Sequence, residues 1–180
     1  TYLDKENKIN KLKGYFLFKD NKLLEAYLSS KFLSNKDIKF TVKTINNEKI
    51  TTLFSGEAKP LVSRYKFIKG FDEGSLDFYS SKKDNKTTST LKIYDFKLKE
   101  LPVLTKILTL ASLQGIADLL SGEGIRFNEF EMNFSITDQL IKIEEIYAIG
   151  PAISLLMSGY IVPDKLVSLR GTLVPATTLN

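Results

Sequence analysis

Alternation of apolar and polar residues, repeated along most of the chain, is the feature that most constrains its fold. The clearest case is residues 129–136, in which Phe130, Met132, Phe134 and Ile136 alternate with polar neighbours. Because successive side chains of a β-strand point to opposite faces, this pattern predicts a strand with one apolar face. Similar segments follow one another through short turns, which predicts antiparallel strands in up-and-down order.

Breaks in the alternation divide the 180 residues into five parts. The chain has neither an initial methionine nor a signal peptide, so we expect residues 1–180 to be one fragment of a longer protein. The five parts are a strand meander (1–45), short helices (46–70), a hairpin (71–100), a helical segment (101–124) and a second antiparallel meander (125–180).

Two parts of the chain are expected to be helical. In the first, Asn47 suits an N-cap, and Ile50, Leu53 and Phe54 have the spacing of one helical face. The second, residues 101–124, is the longest apolar stretch, and its apolar stripe changes side after Leu113. We interpret it as two short amphipathic helices. Packing on a core and contact with a lipid surface both remain open for this segment.

The two patterns together predict an α+β fold. Its sheet is expected to be antiparallel, up-and-down, curved and groove-like, and short amphipathic helices are expected to cover the apolar face of that sheet.

Composition excludes several classes of chemistry. The chain contains no histidine and no cysteine, so we expect no metal site of the zinc or haem type, no catalytic histidine and no cofactor. Residues 1–100 carry 21 basic and 13 acidic side chains, a net +8, whereas residues 101–180 carry 5 and 8, a net −3. The lysines are scattered along predicted strands, where they protect sheet faces and edges, and no nucleic-acid motif accompanies them.

Carboxylate pairs are the only arrangement that suggests catalysis. Glu129 and Glu131 share a predicted strand face, and Asp72 and Asp77 form a weaker pair. Paired carboxylates on a solvated face are usually structural, so we expect no enzyme activity.

A group of short motifs lies mostly in residues 70–180. The motifs are Pro102-Val103-Leu104, Phe71 to Leu76, Leu119-Leu120-Ser121-Gly122-Glu123-Gly124, Phe127, Gly150-Pro151, Leu169-Arg170-Gly171-Thr172-Leu173-Val174-Pro175-Ala176 and Asn180. Together they resemble the C-terminal region of the AsmA-like family, which includes YhdP- and TamB-type envelope proteins of bacteria. Thr177-Thr178 departs from the family, which often has Tyr before the final Leu-Asn.

The resemblance implies a module of a bridge-like phospholipid transport protein between the inner and outer membranes. It implies a periplasmic or cell-envelope location, an inner-membrane anchor outside this segment, a role in outer-membrane homeostasis and phospholipid acyl chains as the bound partner. This segment would contribute an apolar groove or its cap. The alternative is a non-catalytic scaffold that binds a protein partner, for example at a strand edge of the sheet.

Eight apolar residues are the candidates for lipid contact, and ordinary core packing is the competing interpretation for each. They are Phe130, Met132, Phe134 and Ile136 on the predicted sheet, and Leu104, Ile107, Leu108 and Ala111 on the predicted helix.

Overall fold

Ten antiparallel strands form a single sheet in the computed structural model, which describes residues 3, 7–64, 70–99 and 122–175. Each strand pairs with the strands before and after it in sequence, so the spatial order is the sequence order. The strands are β1 (Ile9–Lys19), β2 (Lys22–Phe32), β3 (Asp37–Ile45), β4 (Glu48–Ser55), β5 (Phe71–Lys83), β6 (Lys86–Leu98), β7 (Ile125–Thr137), β8 (Leu140–Ile149), β9 (Ile153–Val162) and β10 (Leu166–Pro175).

The two ends of the sheet differ in their connections. At one end, which we call the turn end, two-residue turns at 20–21, 46–47, 84–85 and 138–139 and a three-residue turn at 163–165 join the strands. Asp or Asn with positive φ opens each two-residue turn, which allows the mirror-image turns that suit the right-handed twist of a hairpin. The other connections are longer on average and define the loop end, from which residues 56–64 extend.

The prediction of an α+β fold is wrong. Among the described residues, helix is confined to α1 (Lys59–Val62), a single turn that follows β4 at the loop end. No helical layer covers the sheet in this part of the chain. Residues 101–121, which hold most of the second predicted helical segment, lie outside the described residues.

Residues 48–55 form the strand β4, where the sequence predicted a helix. Asn46 and Asn47 have φ values of 49° and 63°, so Asn47 is a turn residue of a hairpin and not a helix cap. Ile50 and Leu53 then lie on opposite faces of the strand, despite their helix-like spacing. The β-branched pair Thr51-Thr52 also favours the extended conformation.

The main buried cluster lies on one face of the sheet, at the loop end. Phe71, Phe96 and Phe127 stack in succession, with ring centroids 5.3 and 5.4 Å apart, and Phe130 meets Phe96 edge-on at 6.5 Å. Ala58 and Val62, beside and within α1, pack into the same cluster. A smaller cluster of Ile9, Phe32 and Ile38 occupies the loop end of β1–β3.

Two irregularities keep apolar side chains on this face. Ile93 and Phe96 both belong to the core although they are three residues apart, and Asp95 between them has a φ of 52°. In β8 a register shift lets Ile143 and Ile146 lie on one face. A bulge of this kind inserts one unpaired residue and restores the alternation beyond it.

The turn at Asn46-Asn47 provides a test of this fold. Replacing Asn46 by Val should lower the free energy of unfolding by about 1–2 kcal/mol, because a β-branched side chain is strained at positive φ. Asn47→Gly is the matched control and should be neutral or slightly stabilising, since Asn-Gly suits this turn. Urea denaturation followed by circular dichroism measures both. Equal losses in the two variants would contradict the assigned turn.

Candidate functional site

One face of the sheet is apolar across nearly its whole width. Residues directly opposite each other in an antiparallel pair share a face, so the register traces rows of side chains that run across the strands. Four such rows define what we call the apolar face, and none of them contains an acidic residue.

The two rows nearest the loop end are almost entirely apolar. The middle row is Leu28, Phe40, Leu53, Phe78, Leu91, Met132, Ile146, Met157 and Gly171, and the core row is Ser30, Ile38, Ser55, Leu76, Ile93, Phe130, Ala148, Leu155 and Leu173.

The two rows nearest the turn end change character along their length. They are polar on β4–β6 and mainly apolar on β7–β10. The hydroxyl row is Ala26, Val42, Thr51, Ser80, Ser89, Phe134, Ile143, Gly159 and Leu169, and the rim row is Thr44, Lys49, Lys82, Thr87, Ile136, Ile141, Ile161 and Val167.

The four candidate residues of the predicted sheet lie on β7, one in each row. Phe130, Met132, Phe134 and Ile136 are half-buried, although β7 is an interior strand with a neighbour on each side. Neighbouring strands cover their flanks, and the remaining accessible area belongs to the apolar face. The other four candidates, Leu104, Ile107, Leu108 and Ala111, lie outside the described residues.

The sequence missed comparable residues on the preceding strands. Leu53, Phe78 and Leu91 are half-buried and occupy the middle row with Met132. The alternation of apolar and polar residues in 76–80 and 87–93 could have placed Phe78 and Leu91 on the apolar face. Leu53 was assigned to a helix, which hid its place on a strand face.

A hydrogen-bond network holds β6, β7 and β8 together on the opposite face, which we call the polar face. Glu131 accepts hydrogen bonds from Lys92 at 2.6 Å, from the Asn133 amide at 2.8 Å and from the Tyr147 hydroxyl at 2.9 Å. Thr90 donates in turn to the Asn133 carbonyl oxygen at 2.7 Å. The network fixes the polar side of β7 and so directs the candidate residues to the apolar face.

The same network shifts the acidity of its members. The hydrogen bond from Lys92, aided by Asn133, holds the pKa of the Glu131 carboxyl below its usual range, and Glu131 raises the pKa of Lys92. Hydrogen bonding to Glu131, together with desolvation and nearby Glu129, raises the pKa of the Tyr147 hydroxyl. The hydroxyl oxygen lies 3.0 Å from a Glu129 carboxylate oxygen and 2.9 Å from a Glu131 carboxylate oxygen. Because it has a single proton, it donates a hydrogen bond to one carboxylate at a time.

Three of the four carboxylates considered for catalysis have structural partners. Glu129 and Glu131 belong to the network just described, and Asp72 forms an ion pair with Lys59 at 2.8 Å. Asp77 is exposed on the polar face, opposite Lys92. No group of three potential ligands that could hold a metal ion occurs within residues 7–64, 70–99 and 122–175.

Two shallow depressions lie on the polar face. The larger, of about 410 Å³, is lined by hydroxyl and aromatic side chains that include Tyr27, Thr52 and Tyr79. The smaller, of about 180 Å³, adjoins it at Tyr79 and Thr90 and extends to Glu144. Both are open, and most of their lining residues belong to the polar face.

Comparisons with protein-family models, with curated proteins and with solved structures give no match for this chain. Within the described ranges, none of the helical residues forms a helix long and apolar enough to cross a membrane.

The Glu131 network predicts a pH-dependent contribution to stability. Folding lowers the pKa of Glu131. The contribution of its carboxylate to the free energy of unfolding should therefore be complete above the unfolded-state pKa of about 4.3, and it should disappear as the pH falls through the folded-state pKa. Glu131→Gln should therefore reduce the free energy of unfolding by about 1 kcal/mol at pH 7 and by less at pH 3.

Urea titrations at the two pH values measure this difference. Glu145→Gln is the matched control, because Glu145 lies opposite Asn133 on the same face but is exposed and forms no hydrogen bond among the described residues. A loss in Glu131→Gln that is the same at both pH values would show that the carboxylate charge does not contribute.

Proposed function

We propose that this chain is a lipid-contact module of a bridge-like phospholipid transport protein of the cell envelope, resembling the AsmA-like family. Its sheet would present an apolar surface to acyl chains in the periplasm, while an anchor elsewhere in the protein attaches it to the inner membrane. The observation that carries the proposal is the apolar face, which extends from β2 to β10 and retains partly exposed Phe, Met and Leu side chains at its centre.

The physical argument concerns what can cover such a surface. A sheet face of this composition gains free energy by leaving water, at about 25 cal/mol per Å² of apolar area. The described part of the chain supplies only α1 and its flanking residues as a cover, and these pack at the loop end. An acyl chain contributes about 0.8 kcal/mol for each methylene that it buries, so a short contact with the middle row gives measurable affinity.

The up-and-down order also suits a conduit. Each strand from β3 to β10 adds one residue to each row, so the rows run continuously across these strands. The register shifts in β8 and the irregularity at Asp95 keep the rows apolar where regular alternation would have turned them toward the polar face. A lipid that moves along a row meets no charged side chain in the middle or core row.

A protein partner at a strand edge is the second candidate, and β10 is the observation that favours it. Val167 is 63% exposed and Leu166 is 49% exposed, and Arg170 is the only charged residue in the strand. Long apolar edge strands are templates for pairing with another strand. Co-purification of a stoichiometric protein without lipid would favour this function over the first.

Native mass spectrometry of the chain, purified gently from a bacterial membrane background, tests the first proposal. We expect a mass increment that matches bound phospholipid, with the lipid identified after extraction. A lipid-free mass for a folded, monomeric chain would overturn the proposal.

Substitution of Phe134 separates lipid contact from core packing. Phe134→Asp should abolish bound phospholipid while a cooperative thermal transition remains, because Phe134 is half-buried and lies away from the core row. Phe54→Asp is the matched control, since Phe54 lies on the polar face and is 39% exposed. It should leave lipid binding unchanged. Loss of the cooperative transition in Phe134→Asp alone would assign Phe134 to the core.

A further inference from the structure

Two lysines stand directly opposite each other on the apolar face, at its turn end. Lys49 of β4 pairs with Lys82 of β5, so their Cβ atoms are about 5 Å apart. Neither lysine forms an ion pair among the described residues, and both are exposed. Like charges in this position destabilise a sheet.

No carboxylate on this face can compensate the two charges. Glu48, the acidic neighbour of Lys49 in sequence, points to the polar face, where it accepts a hydrogen bond from Ser81. The four rows of the apolar face contain no Asp or Glu at any strand. The pair is therefore an uncompensated cationic site beside an apolar surface.

Hydroxyl groups complete this corner of the face. Thr51 and Ser80 lie two residues inward from the lysines on the same strands, and Thr87 lies opposite Lys82. Ser89 donates to the Ser80 hydroxyl at 3.0 Å, and both serines are buried. We call Lys49, Thr51, Ser80, Lys82, Thr87 and Ser89 the lysine–hydroxyl corner.

From this arrangement we infer that the lysine–hydroxyl corner binds the phosphate of an anionic phospholipid whose acyl chains lie on the adjacent apolar rows. The inference rests on the proposed function and adds a headgroup site and a charge preference to it. The exposed ammonium groups of Lys49 and Lys82 and the partly exposed hydroxyls of Thr51 and Thr87 can donate to phosphate oxygens. Hydrogen bonds that involve charged groups are the stronger class. The phosphate would relieve the repulsion between the two lysines.

The dimensions of the face agree with a single bound lipid. Lys82 and Leu76 are six residues apart on β5, so the corner lies roughly 20 Å from the core row. The hydrocarbon of one bilayer leaflet is about 15 Å thick, half of the full core. An acyl chain that starts at the corner would therefore pass Phe78 and end near the buried cluster. The rows on β7–β10, which are apolar up to the rim, offer room for a second chain.

Binding of two lipids with identical acyl chains tests the inference. Phosphatidylglycerol, which is anionic, and phosphatidylcholine, which is zwitterionic, are titrated separately into the 180-residue chain and quantified by native mass spectrometry. The wild type should prefer phosphatidylglycerol by about tenfold, the scale of one hydrogen bond to a charged group. The preference should decrease with added salt, because the lysines are exposed.

The double variant Lys49→Gln/Lys82→Gln should lose this preference and still bind phosphatidylcholine as the wild type does. The matched control is Lys83→Gln/Lys86→Gln, a pair that stands opposite across β5 and β6 at the same end of the sheet but on the polar face. It should retain the preference. Circular dichroism verifies that both variants are folded.

The outcomes distinguish this inference from the proposed function. If the wild type binds neither lipid, the proposed function fails and the headgroup site fails with it. If it binds both lipids equally, or if the two double variants lose the preference to the same extent, the headgroup site is wrong and the proposed function stands.

Discussion

A single antiparallel sheet with one apolar face is the constraint on which the rest of this structure depends. In each antiparallel pair, opposite residues share a face. The register with one strand therefore determines which side chains of the next strand lie on the apolar face. A one-residue slip would move a whole strand's apolar set to the polar side. The register shift in β8 and the left-handed Asp95 in β6 prevent this, because they place Ile146 and Phe96 back on the apolar face.

The two ends of the apolar face differ in burial and polarity. At the loop end, stacked Phe71, Phe96 and Phe127 and the residues around α1 form the buried core that stabilises the sheet. Toward the turn end, the middle row is mostly half-buried, the hydroxyl row is largely buried again and the rim row is partly or fully exposed. Polar groups enter the last two rows on β4–β6. Stability is therefore concentrated where the connections are longest. The middle row retains accessible apolar side chains between these zones, and the Glu131 network lies behind it on the polar face.

The candidate site was only partly predictable. The alternation in 129–136 placed Phe130, Met132, Phe134 and Ile136 on one strand face, because a period of two leaves no other regular choice. It did not show that Leu53 joins them, since Ile50, Leu53 and Phe54 also have helical spacing. The decision depended on Asn46 and Asn47, which can cap a helix or make a hairpin turn with positive φ. Only pairing with β3 and β5 selects the turn.

The sequence by itself determined that the predicted strands follow one another in antiparallel order and that the chain offers no histidine or cysteine side chain for chemistry. These properties are local, since they follow from alternation, turn residues and composition. The tertiary structure decided that Lys49 meets Lys82, that Lys92 and Tyr147 converge on Glu131, and that Phe71 stacks on Phe96. Such contacts depend on register between strands. Register is set by hydrogen bonding and packing across the whole sheet, which no single segment of sequence contains.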